Sequence, residues 1–204
     1  MTWKECRILI SQDYHRVEIG GGNTRITKFI VDYLWKESLQ VTFWFRIGSY
    51  LQPKRNLFAK VLWVCVKLIY KHKQHKTGIQ LPLTTKIAGG LQFFHYGCII
   101  IAQSVCIGKN ASIHQGVTIG RVFSGKYAGV PTLGDNVVVF AGAKLLGGIH
   151  IGDNAVIGAN AVVTKDVPAN CVVAGAPAKV ISEDSRKCFN EEWGKSFAHD
   201  YVNE

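Results

Sequence analysis

The chain has 204 residues, 48% hydrophobic and 19% charged, with a formal charge of +10, a balance that excludes extended disorder and leaves room for one large domain or one domain with a smaller partner. The 21 glycines carry no G-X-Y period, so a collagen-like fibre is excluded and glycine is expected at turns. The charge is uneven: fourteen Lys and Arg face five Asp and Glu in residues 1–80, and ten face nine in residues 81–204. No helix-turn-helix, zinc finger or aromatic RNA-binding motif accompanies the basic residues, so nucleic acid is not an expected partner.

The N-terminus, MTWKECRILIS, lacks the apolar core of a secretory signal, and the six cysteines form no CxxC pair. A reduced, cytoplasmic protein is expected. The first elements are two helices, about Thr24–Leu51 and Asn56–His75, separated by the breaker Pro53. In the second, Lys60, Lys67 and Lys71 fall at i, i+7 and i+11 and make a basic stripe on an apolar helix. That stripe suits either the anionic inner face of a membrane or a packing helix with one wet face. The apolar run Leu57–Tyr70 covers 14 residues, ~21 Å as a helix against the ~30 Å of a bilayer core, so it cannot span one.

Near residue 80 the period changes to six. Ile101, Ile107, Ile113 and Ile119 form one run; Leu133, Val139, Leu145, Ile151, Ile157 and Val163 form a second, with Ala or Val four positions after most of them. A spacing of six fits neither a helical stripe nor a hairpin stack. It fits a mainly β fold in which each hexad is one short strand and one turn and three strands close a triangular coil, with the aliphatic residue inside. Gly134-Asp135-Asn136, Gly152-Asp153-Asn154 and Gly158-Ala159-Asn160 suit the turns. An upstream phase, Leu81, Ile87, Phe93 and Ile99, is offset by two residues from Ile101, which places an irregularity directly after His95. Fourteen positions separate Ile119 from Leu133, so eight extra residues within GRVFSGKYAGVPT leave the coil as a protruding loop. The expected organisation is a helical module over 1–78, a coil domain over 79–181 with the loop at 120–132, and a tail over 182–204.

FHYGCIIIAQSVCIGKNASIHQGVTIG, VPTLGDNVVVFAGAKLLGGIHIGDNAVIGANAVVTKDVP and the closing AGAPAKVI resemble, in order and spacing, the serine acetyltransferase family of hexapeptide-repeat acyltransferases, whose fold is a left-handed parallel β-helix. A helical module ahead of the coils is also similar to members associated with polysaccharide biosynthesis. The resemblance implies direct transfer of an acetyl group from acetyl-CoA to a hydroxyl, without a metal, in a site shared by neighbouring subunits of a trimer or a dimer of trimers. His95 stands where the family has its general base. His114, one residue past an inward aliphatic, is a second candidate, expected to point outward near the loop. The implied donor site takes Ala141, Gly142, Ala159, Ala174 and Gly175 along the pantetheine, with Lys144 and Lys179 for the nucleotide phosphates.

The acceptor side departs from the family. Phe94 replaces an Asp before the base histidine, Gly129 and Val130 replace a histidine and an arginine in the loop, and Gln80 replaces the Asp that orients the base. A zwitterionic amino acid would leave its charges unpaired in such a site. The expected acceptor is therefore a saccharide hydroxyl in surface polysaccharide biosynthesis, met by Phe94, Tyr96, Gln80 and Gln115; the alternative is serine O-acetylation for cysteine biosynthesis. A zinc site from His95, His114 and His150 is not expected, because the three are spread along the chain. A catalytically silent scaffold is the remaining alternative.

Overall fold

The computed structural model describes residues 1–17, 26–52 and 56–188. Four helices come first: α1 (Trp3–Val17), α2 (Ile26–Trp35), α3 (Glu37–Leu51) and α4 (Leu57–Thr77). Helix α1 was not expected, yet its start is written in the sequence as a capping box: Thr2 N–H donates to Glu5 Oε2 at 2.8 Å and Glu5 N–H to Thr2 Oγ1 at 3.2 Å. The single helix expected over Thr24–Leu51 is two. Lys36 adopts extended angles (φ −102, ψ 95) between α2 and α3, where neither Gly nor Pro marks a break; Thr24 and Pro53 lie outside the described residues. Helix α4 has both a start and a stop signal. The Asn56 side chain accepts from Ala59 N–H, and Gly78 takes the left-handed conformation (φ 67) at its end.

Fifteen short strands follow among the described residues. They are β1 (Ile79–Gln80), β2 (Lys86–Ile87), β3 (Gln92–Phe93), β4 (Ile99–Ile101), β5 (Cys106–Ile107), β6 (Ser112–Ile113), β7 (Thr118–Gly120), β8 (Thr132–Leu133) and β9 (Val138–Val139). Then come β10 (Lys144–Leu146), β11 (His150–Ile151), β12 (Val156–Ile157), β13 (Val162–Val163), β14 (Val172–Ala174) and β15 (Lys179–Ser182). Strands three apart stack on one another as far as β13, and β14 continues the stack on β12, giving three faces of a left-handed β-helix: β1-β4-β7-β10-β13, β2-β5-β8-β11 and β3-β6-β9-β12-β14, with β15 turning back antiparallel on β14. We call these faces A, B and C. Register aligns the aliphatic of each hexad with that of the next coil, as in Ile101, Ile119, Leu145 and Val163. All ten predicted aliphatics are at most 4% exposed, and each stabilises the fold by about 1.5–3 kcal/mol.

The corner between faces B and C is regular. Asn110, Asn136, Asn154 and Asn170 all have positive φ, and their side-chain amides donate up the stack at 3.1, 2.9 and 2.8 Å. The unusual angle sits at Asn rather than at the preceding glycine. Gly152 is needed for space, because a Cβ there would lie 2.4 Å from the Ala169 nitrogen of the next coil.

The helical module closes the first coil. Arg46 of α3 pairs bidentately with Asp13 of α1 at 2.8 and 3.0 Å and donates to the carbonyls of Ile87 and Ala88; Asp13 Oδ1 accepts from Gly90 and Leu91 N–H. Both side chains are at most 3% exposed, so this pair ties two helices to one turn of the coil with every charge matched. Helix α4 turns a broad apolar face outward, with Leu57, Phe58, Val61 and Leu68 between 58% and 79% exposed, beside the exposed Lys60, Lys67 and Lys71. No helix among the described residues is long and apolar enough to cross a membrane.

Candidate active site

The irregularity after His95 has a simple geometric cause. Phe93 pairs with Ile113 on face C and Ile101 with Ile119 on face A, yet eight positions separate Phe93 from Ile101 where six separate Ile113 from Ile119. The two extra residues swell the corner between faces C and A, where Gly97 (φ 124) and Cys98 (φ 52) turn the chain. His95 and Tyr96 are exposed on this swelling.

Later coils pass the same corner in tight turns of small residues. Gly116 N–H donates to Gly97 O, Gly142 to Gln115, Asn160 to Ala141 and Val162 to Gly175, each at 2.8–2.9 Å. His95, Tyr96, Gln115, Ala141, Gly142, Ala159, Ala174 and Gly175 thus lie on one edge of the prism, although up to 80 positions apart in sequence. Four coil steps of ~4.8 Å make this edge ~19 Å long. The side chains at Ala141, Gly142 and Ala159 are too small to obstruct a narrow ligand, and Gly142 must stay bare because a Cβ would collide with the Asn160 side chain. Lys179 is exposed at the far end. Lys144 Nζ donates one hydrogen bond to the Gly116 carbonyl.

His114 departs from expectation in two ways. It is on the outer surface of face C but only 9% exposed, because Phe94 stacks on its ring (4.6 Å between centroids, 8° between planes) and Phe140 packs at 5.0 Å. Burial holds its pKa below the ordinary imidazole range, and the neighbouring His95, 6.5 Å away between ring centroids, lowers it further. Its Nε2 has no hydrogen-bond partner among the described residues. Nor is it beside the protruding loop. That loop leaves between β7 and β8, at the corner of faces A and B, where Val122 and Gly129 pair in antiparallel fashion at 2.8 and 3.0 Å. No hydrogen bond or ring contact among the described residues joins the loop to His95 or His114.

Phe94 gives one ring face to His114, and Gln80, exposed on β1, makes no hydrogen bond to His95. No group of three or more His, Cys, Asp or Glu suited to a metal ion gathers among the described residues. The buried Asp13–Arg46 pair and the buried Gln92 were not marked by any sequence pattern.

Residues 131–165 match the family described as bacterial transferase hexapeptide (six repeats). The serine acetyltransferase of Staphylococcus aureus (strain Mu50 / ATCC 700699) is 34% identical over 147 residues, 72% of this chain and 67% of the relative. The chain belongs to the serine acetyltransferase family of hexapeptide-repeat transferases. The serine acetyltransferase of Staphylococcus xylosus is 36% identical over 144 residues, 71% of this chain and 64% of that relative, so the chain spans less than two thirds of its length. The crystal structure of the Brucella abortus strain S19 serine acetyltransferase in complex with coenzyme A superposes with a TM-score of 0.66 at 26% identity, covering 89% of this chain and 68% of that one.

Proposed function

We propose that this chain is an acetyl-CoA-dependent O-acetyltransferase in which His95 is the general base. The observation that carries this reading is the C–A edge: an exposed imidazole on a local swelling, continued by four coils whose turns include Gly116, Ala141-Gly142, Ala159 and Ala174-Gly175. Acetyl-CoA supplies the acetyl thioester. The Ala141, Ala159 and Ala174-Gly175 turns hold its arm along the edge, and Lys179 meets its phosphates. His95 accepts the proton of the acceptor hydroxyl as the new ester bond forms and the carbon–sulfur bond breaks, then returns that proton to the departing thiolate. His114, whose pKa is lowered by burial and by the neighbouring imidazole, packs behind His95.

The trimer reading is supported by the loop's position. Because residues 120–132 leave at the A–B corner, a loop that completes the site around His95 would come from a neighbouring copy. Helix α4 contains no Asp or Glu, and its exposed leucines beside Lys60, Lys67 and Lys71 suit the surface of an anionic membrane. The chain should co-sediment with vesicles containing phosphatidylserine and not with phosphatidylcholine vesicles.

The names of the curated relatives favour L-serine as acceptor. A neutral saccharide hydroxyl is favoured by Phe94, which puts an aromatic ring packed on His114 where a carboxylate would meet an ammonium group. Thiol release from acetyl-CoA, with L-serine in one arm and neutral sugars and nucleotide sugars in others, decides between them. Release that depends on no acceptor in the panel would overturn the transferase reading.

A further inference from the structure

A cleft of about 530 Å³ opens beside His95, between the α2–α3 break and strand β3. Its helical wall exists because Lys36 is extended: the break ends α2 at Trp35 and leaves that indole 80% exposed at the lip. An indole so exposed presents a large apolar face with a polar edge, the surface that stacks on the C–H face of a pyranose. The opposite wall includes Gln92, which is 5% exposed and whose amide makes no hydrogen bond among the described residues. The amide reaches the water of the cleft, where it can donate to or accept from a ligand hydroxyl.

The charges in the cleft are already spent. Lys36 Nζ pairs with Asp32 at 3.1 Å and donates to the Val17 carbonyl at 3.4 Å, and Glu37 pairs with Lys76 at 3.4 Å. What remains unengaged among the described residues is neutral: the Gln92 amide, the Ser38 hydroxyl and the Trp35 ring. A zwitterion would have to break two ion pairs or go unpaired, whereas a polyhydroxylated ring needs neither.

We propose that this cleft is the acceptor subsite and that it takes a neutral pyranoside, with the ring on Trp35, ring hydroxyls on Gln92 and Ser38, and the reacting hydroxyl at His95. The assignment rests on the O-acetyltransferase reading and names the acceptor class for it. The test is steady-state kinetics with acetyl-CoA and a panel of methyl hexopyranosides, with L-serine in a separate arm, on wild type, Trp35→Ala and Gln92→Leu. Equilibrium binding of CoA reports on folding and on the donor edge. Each variant is expected to raise the KM for the glycoside about tenfold, with the KM for acetyl-CoA and CoA binding within twofold of wild type. Wild-type glycoside KM in both variants would overturn the subsite while leaving the transferase standing. Thiol release with L-serine and with no glycoside would overturn the acceptor class, and CoA binding without release in any arm would overturn both the subsite and the reading beneath it.

Discussion

Two corners of the same prism, built by the same repeat, do different things. At the B–C corner, Asn110, Asn136, Asn154 and Asn170 repeat one backbone angle and one side-chain hydrogen bond, and the turns bond to each other. At the C–A corner the lowest turn carries two extra residues and pushes His95 and Tyr96 outward, while the turns above it carry Gln115-Gly116, Ala141-Gly142, Ala159-Asn160 and Ala174-Gly175. The first corner uses its side chains to hold coil on coil. The second leaves the holding to backbone bonds. A repeat is stable enough to carry such an exception because it is rigid on every other face.

This contrast can be broken experimentally, beginning with the joint that supports both corners. Asp13→Ala strands a buried guanidinium and should cost about 3–5 kcal/mol, read as a fall in the urea midpoint at fixed protein concentration; Asp13→Asn should cost less, because the amide still accepts from Gly90 and Leu91. An unchanged midpoint would mean that the helical module does not hold the first coil. Asn136→Ala should cost about 2 kcal/mol, since alanine strains at φ 57 and two ladder bonds are lost, with kcat unaltered. A large loss of kcat in that variant would show that the two corners are not separable.

The smallest effect is on pH dependence. The His114 pKa is depressed in the folded state, so the unfolded chain binds the proton more readily; the stability this histidine contributes is complete above about pH 6.5 and is lost as pH falls through the folded-state value. His114→Phe should keep the stack with Phe94 and flatten the decline in Tm between pH 7.5 and 5.5. An equally steep decline would remove His114 from the account.

The hexads could be read directly because a narrow triangular interior admits one aliphatic per face, so the period is forced by geometry. The turn glycines and asparagines were legible for the same reason. The break at Lys36 was not, because an ordinary lysine between two apolar runs carries no stop signal and only tertiary packing selects its extended angles. Asp13 and Arg46 are 33 positions apart with no spacing rule to join them, although Thr2 and Glu5 did announce the helix that carries Asp13. His95 was found through family resemblance and sits at the swelling that the phase slip predicted. The burial of His114 escaped notice because it depends on rings from the coils on either side, Phe94 and Phe140, and coil register turns an outward position into a covered one.

The most direct measurement is the rate of thiol release from acetyl-CoA by wild type and His95→Ala, each with the acceptor the panel identifies and each checked for CoA binding. The account predicts a fall in kcat of about 10²–10⁴-fold with CoA affinity unchanged. A His95→Ala variant that turns over at the wild-type rate would contradict it and move the chemistry away from the C–A edge.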